Sequence, residues 1–138
     1  MQRISHIAIA TQDPEGTAKF YKDGLGLFEV GKIESPLAEG YYLSDGYINL
    51  AILKYQTDEV AMTEGAPRHA GIHHLGFSVD DMVSAQSQII EAGATPHLEQ
   101  QVNAAMGGVG SLNVEYKFTG PDGVTVDLSA SGWSTNPD

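Results

Sequence analysis

One pattern runs through this chain twice, and a chain that repeats itself is constrained to fold as two copies of one unit. The stretch SHIAIA at residues 5–10 alternates in the manner of a half-buried strand. Asp13-Pro14-Glu15 then offers a capping carboxylate and a proline suited to the first helical position, and Gly24-Leu25-Gly26 offers a stop. From His73 the order returns. HHLGFSV alternates, Asp81 can cap a helix, Met82, Ala85 and Ile89 recur at helical spacing, and Gly93 ends the run. Each copy then reaches an Asp-Gly turn followed by another alternating strand, SDGYINLAIL in the first and PDGVTVDLSA in the second. The repeat predicts strand, helix and several further strands, twice over, in one domain of 1–138. Module one covers about 1–56, a polar linker about 57–71, and module two about 72–131.

Alternate residues of a strand point to opposite faces, so parity alone assigns side chains to surfaces. His6, Ala8 and Ala10 share one face of the first strand, and His74, Gly76 and Ser78 share one face of its counterpart. Tyr47, Asn49 and Ala51 oppose Ile48, Leu50 and Ile52, while Thr125, Asp127 and Ser129 oppose Val124, Val126 and Leu128. Each strand thus has one apolar face for a helix to cover and one small or polar face for a concave, ligand-admitting surface. His6, Asn49, His74 and Asp127 are all expected on that concave side. In NVEYKF the same parity sets Asn113, Glu115 and Lys117 together against Val114, Tyr116 and Phe118, and polarity assigns the first group to the cup. Of the other histidines, parity puts His73 on the opposite face, with His69 in a loop and His97 near a strand edge; none is expected to bind metal.

Composition narrows the partners. Eighteen acidic against seven basic residues give a net charge of -11, which repels phosphate backbones and anionic lipid, so neither nucleic acid nor a membrane surface is an expected partner. There is no cysteine, so any metal must be held by nitrogen and oxygen ligands. No apolar run approaches the roughly 20 residues of a membrane span, and the opening MQRISHIAIATQDP lacks a secretion pattern, which leads us to expect a cytoplasmic protein.

SHIAIA with FYKDGLGL, HHLGFSVDD with IIEAGA, and the GPDGVTVDL ending occur in an order and spacing that resemble the vicinal-oxygen-chelate superfamily, which includes glyoxalase I, methylmalonyl-CoA epimerase, extradiol dioxygenases and bleomycin resistance proteins. The resemblance covers nearly the whole chain. It implies an α+β fold of two βαβββ modules that form a cupped mixed sheet with helices on its outer face. It also implies metal ligands at His6, Asn49, His74 and Asp127, and a homodimer whose sites draw on both subunits. Asn49 departs from the family's Glu or Gln, and an amide cannot act as a general base.

What remains, His6, His74 and Asp127, is a two-histidine, one-carboxylate set with open coordination positions. It suits Fe(II) first and accommodates Mn, Ni, Co or Zn. The leading expectation is therefore a metal-dependent enzyme that chelates vicinal oxygens of a small organic substrate, with oxygenation as the leaning. A glyoxalase-type lyase or epimerase is one alternative, and a non-catalytic drug-binding protein is another. Glu115 and Lys117 are the candidate catalytic pair, as acid or base and anion holder; Asn49, Tyr47 and Asn113 are candidate substrate contacts. Tyr41, Tyr42 and Tyr55 are further candidates to line an aromatic cavity, and the glycine-rich run at 101–111 reads as a loop able to cover the site.

Overall fold

In the computed structural model, residues 2–103, 114–130 and 133–136 are described. The first unit contains β1 (Arg3–Ala10), α1 (Pro14–Leu25), β2 (Phe28–Glu34), β3 (Ala38–Ser44) and β4 (Asn49–Tyr55). After α2 (Asp58–Thr63) come β5 (Gly71–Ser78), α3 (Met82–Glu91), β6 (Thr95–Asn103), β7 (Val114–Thr119) and β8 (Thr125–Ser129). Local chemistry sets the boundaries. The Asp13 carboxylate accepts from the Gly16 amide with Pro14 in the first turn, and α1 closes on Gly26 in the left-handed region, φ 75°. Asp81 caps α3 in the same way through the Ser84 amide.

The eight strands among the described residues form one sheet in the order β2-β3-β4-β1-β5-β8-β7-β6. The order is symmetric about its middle: β1 and β5 pair antiparallel, and each is flanked by the last strand of its own unit, β4 and β8, in parallel. The helices lie against the sheet, α1 over Leu43 and Ile52, α3 over Phe118 and Leu128. A third cluster of Ala8, Ala10, Val30, Ile33, Tyr42 and Tyr55 fills the concave side of the first unit. Alanine dominates the inner wall where β1 and β4 run side by side, which leaves that surface low and hollow.

Three expectations change here. The hairpin after Ser44 is tighter than alternation suggests, because the Asp45 carboxylate accepts from the Tyr47 and Ile48 amides at 2.9 Å each, so β4 begins only at Asn49. The supposed linker forms α2, capped by Thr57. Residues 101–103, expected in the loop, extend β6, and 104–111 lie outside the described residues, as does Asn113.

Candidate metal centre

Strand register assembles the site. His6 is paired with Asn49 on one side and Gly76 on the other, Gly76 with Asp127, and Asp127 with Lys117, so these five residues form one transverse row over β4, β1, β5, β8 and β7. Neighbouring strands stand about 4.8 Å apart, which brings side chains along such a row within reach of one another. His74 joins from two pairs further along, on the same face, opposite Ala8. Gly76 is a glycine for steric reasons: a Cβ there would lie 2.0 Å from Cε1 of His6, whose ring occupies that space.

His6 Nε2 lies 3.5 Å and His74 Nε2 3.2 Å from the same oxygen, Asp127 Oδ2. All three residues are buried, and the three ligand atoms sit within 4.8 Å of one another. Their polar valences are unfilled: both ring nitrogens of His6 and Oδ1 of Asp127 are buried without a hydrogen-bond partner among the described residues. Burial holds the His74 imidazolium in check and drives its pKa well below the ordinary value, despite the neighbouring Asp127. Burial alone would raise Asp127, but His74 and Lys117 hold it well below the usual carboxylate range. Two imidazoles and a carboxylate within 4.8 Å of one another, with Asp127 Oδ1 free of hydrogen bonds among the described residues while Oδ2 accepts from Lys117, form a nitrogen and oxygen donor set that fits a divalent cation.

Beside this triad lies a buried ion cluster. Lys117 Nζ donates to Asp127 Oδ2 at 2.6 Å, to Glu64 Oε2 at 3.0 Å and to Glu115 Oε2 at 3.1 Å. Burial opposes the ammonium, but Asp127, Glu64 and Glu115 together keep it above its ordinary pKa. Glu115 goes the other way, pushed above the ordinary carboxylate range first by burial and then by Asp127, with the Lys117 ammonium opposing the shift. Its Oε1 accepts from the Trp133 indole at 2.7 Å.

Trp133 closes the cup. Its ring centroid lies 4.9 Å from that of His6 and 5.0 Å from that of Tyr42, and the next residue's carbonyl, Ser134 O, accepts from the Asn49 amide at 2.7 Å. The cavity left between His6, His74, Tyr42, Tyr55, Glu64 and Glu115 is about 30 Å³, the room of one ion or water molecule.

Most of the residues singled out from sequence converge here: His6, Asn49, His74, Glu115, Lys117 and Asp127. Tyr47 does not. It sits in the β3–β4 turn, 85% exposed, because the Asp45 turn takes it out of the strand. Tyr41 packs behind the sheet against the α1 layer, whereas Tyr42 and Tyr55 line the cavity. The three proposed ligands gather within one chain, His6 and His74 from β1 and β5 and Asp127 from β8. Sequence reasoning missed Glu64, at the end of a helix read as linker, and Trp133, which has no repeat partner. It also missed His73, whose position behind His74 is set by a bulge.

The sequence profile of the Glyoxalase/Bleomycin resistance protein/Dioxygenase superfamily matches residues 3–128. The chain belongs to this superfamily. Among named relatives, it is 32% identical over 100 residues to ethylmalonyl-CoA/methylmalonyl-CoA epimerase of Cereibacter sphaeroides, a match that spans 67% of this chain and 72% of the relative. Solved structures of the same fold include a hypothetical protein from Bacillus halodurans C-125, with TM-score 0.71, 18% identity and 98% of each chain covered. They also include a Streptomyces coelicolor methylmalonyl-CoA epimerase variant in complex with 2-nitronate-propionyl-CoA, with TM-score 0.66, 21% identity, and coverage of 96% and 97%. The superfamily's cupped sheet is thus the scaffold on which this chain arranges its histidines and acids.

Proposed function

We propose that this chain is a divalent-metal-dependent epimerase-type enzyme that moves a proton at the carbon beside a carbonyl in a small acyl substrate. His6, His74 and Asp127 would hold the cation and Glu115 would carry the proton. The observation that carries the reading is the convergence of three buried donors, His6, His74 and Asp127, beside a small cavity that Glu115 also lines. A divalent cation bound there supplies Lewis-acid polarisation of chelated oxygens, which acidifies the adjacent C–H bond.

The chain's own residues do the rest. Glu115, with its raised pKa, is a strong base once ionised and a ready acid once protonated, so it can both remove and return a proton. Lys117 fixes Glu115, Glu64 and Asp127 relative to one another and offsets their charge. Tyr42 and Leu53 supply an apolar wall that limits water at the reacting carbon. Asn49 orients the segment that carries Trp133 through its bond to Ser134. The cavity is too small for an acyl thioester while Trp133 is in place, so substrate entry displaces the indole. By likeness to the epimerase relative, an acyl-CoA thioester is the proposed substrate class, and a homodimer is the proposed assembly.

Iron-dependent oxygenation is the second reading, because two histidines and one carboxylate also make the donor set of non-haem Fe(II) oxygenases. Buried Glu115 and the epimerase relative favour the first. The test loads the protein with Co²⁺, Mn²⁺, Ni²⁺, Zn²⁺ or anaerobic Fe²⁺, then follows deuterium uptake from D₂O into methylmalonyl-CoA beside oxygen consumption with a catechol panel. Metal-dependent exchange, lost in His74→Ala and Glu115→Gln, is the expected result. Oxygen consumption with iron and no exchange would transfer the site to the second reading, and ligand binding with neither metal nor turnover would make it a binding cup.

A further inference from the structure

His73 and His74 are both buried, at 4% and 3% exposure, although adjacent residues of a regular strand face opposite ways. The reason is a bulge. β1 pairs Ala8 with His74 and Ile9 with Ile72, which leaves His73 as the extra residue and turns its ring to the same side as that of His74.

Its hydrogen bonds determine where the protons are. His73 Nε2 lies 2.7 Å from the carbonyl oxygen of Ala66, which can only accept, so Nε2 carries a proton. His73 Nδ1 lies 2.8 Å from His74 Nδ1, and one of the two must donate. In a neutral ring already protonated at Nε2, Nδ1 is a bare acceptor, so the donor is His74 Nδ1–H. The remaining nitrogen of His74, Nε2, then presents its lone pair towards Asp127 Oδ2, 3.2 Å away. Packing keeps the relay in place: the Tyr55 ring lies 4.9 Å from His73, and the His69 ring stacks on His73 at 5.7 Å.

We infer that His73 is a positioning residue that locks His74 in the Nδ1–H tautomer, through a relay from the Ala66 carbonyl, so that Nε2 is a ready metal ligand. The use of that tautomer rests on the proposed metal centre; the tautomer itself does not. The relay is one-sided. His6 has no such partner on either nitrogen among the described residues, and its ring is held instead by the gap at Gly76. Loss of a ligand-orienting hydrogen bond of this kind typically weakens metal binding by about 10–100-fold.

The test is the ¹⁵N chemical shift pattern of the histidine rings in the metal-free, ¹⁵N-histidine-labelled full chain, with metal affinity measured in parallel by competition for Zn²⁺. The expected pattern is a protonated Nδ1 and bare Nε2 on His74, and the reverse on His73. His73→Phe should mix the His74 tautomers and lower Zn²⁺ affinity by about 10–100-fold. His73→Gln, whose amide can accept from His74 and donate to Ala66, should restore both to near the native values. A His74 ring protonated at Nε2, or a doubly protonated His73, in the unsubstituted protein would overturn the inference without recourse to any variant. Unchanged tautomer and affinity in His73→Phe would overturn it as well. The expected tautomers in a protein that binds no metal would uphold the relay and refute the metal centre.

Discussion

At the scale of single residues, the site depends on what one side chain leaves for another. Gly76 has no Cβ because the His6 ring stands where one would be. Gly76→Ala should push His6 out of the row and cost about 1–3 kcal/mol as an overpacked core position. Unfolding in urea should show that loss of stability, and elemental analysis should show loss of bound metal. Lys117 is the opposite case, a charge whose removal strands its partners. Lys117→Met leaves Asp127, Glu64 and Glu115 buried without their shared ammonium, and breaking such a cluster from one side typically costs about 3–5 kcal/mol. If the three proposed ligands do hold a cation, saturating Zn²⁺ at a hundred times its Kd should recover about 2.7 kcal/mol. A denaturation series with and without metal checks both numbers. Parity identified Glu115 and Lys117 as cup residues and they are buried there, but it misplaced His73 and Tyr47. Parity assumes an unbroken strand, and a bulge in β5 and an Asx turn before β4 each break that assumption.

Among the elements, the two without a counterpart in the repeat contribute most to closing the cup. α2 delivers Glu64, and the turn after it is tied to β8 by the Thr125 hydroxyl, which donates to Gly65 O at 2.8 Å. Gly65 has φ 111°, and a Cβ there would meet the Thr125 side chain at 2.3 Å, so no larger residue fits. Thr57→Ala should remove the α2 cap and about 1 kcal/mol of stability, read from the shift in urea midpoint. The C-terminal segment delivers Trp133, the only tryptophan of the chain, onto His6 and Glu115. Its fluorescence is therefore a built-in reporter. Titration with Ni²⁺ or Co²⁺ should quench the emission with saturation, and His74→Ala should abolish the saturable part. Quenching that is linear and equal in both proteins would mean that the metal does not bind beside the indole.

For the whole molecule, pH dependence should expose the cost of burying this many ionisable groups. In the metal-free protein His73 and His74 have depressed pKa values, so the stability they contribute is present above their ordinary value of 6.5 and is lost as pH falls below it. Asp127, also depressed, adds a further loss below its ordinary 3.8. Glu115 is raised, so its contribution is present at low pH and is lost as pH rises through its folded-state value. Glu115→Gln should remove that loss with rising pH and leave the histidine-linked loss on acidification in place; urea midpoints from pH 4 to 10 would show it. Because the proposed ligand set lies in one chain, metal stoichiometry should stay at one per chain when the expected homodimer is diluted until light scattering reports monomers. No described helix is long and apolar enough to cross a membrane.

Sequence by itself determined the strands, caps and turns of the repeat, because these depend on neighbours within a few positions: Asp13 and Asp81 each cap the helix that starts beside them, and alternation marks a wet and a dry face. From the repeat it was also legible that His6, His74 and Asp127 share one surface. Only the tertiary structure decided their distances. The row His6–Gly76–Asp127–Lys117 exists because β1 and β5 pair antiparallel while β5 and β8 pair parallel, and register across strands is not written in any single strand. The same holds for Glu64, His73 and Trp133, which reach the site through a helix end, a bulge and a returning segment whose effects depend on residues far away in the chain.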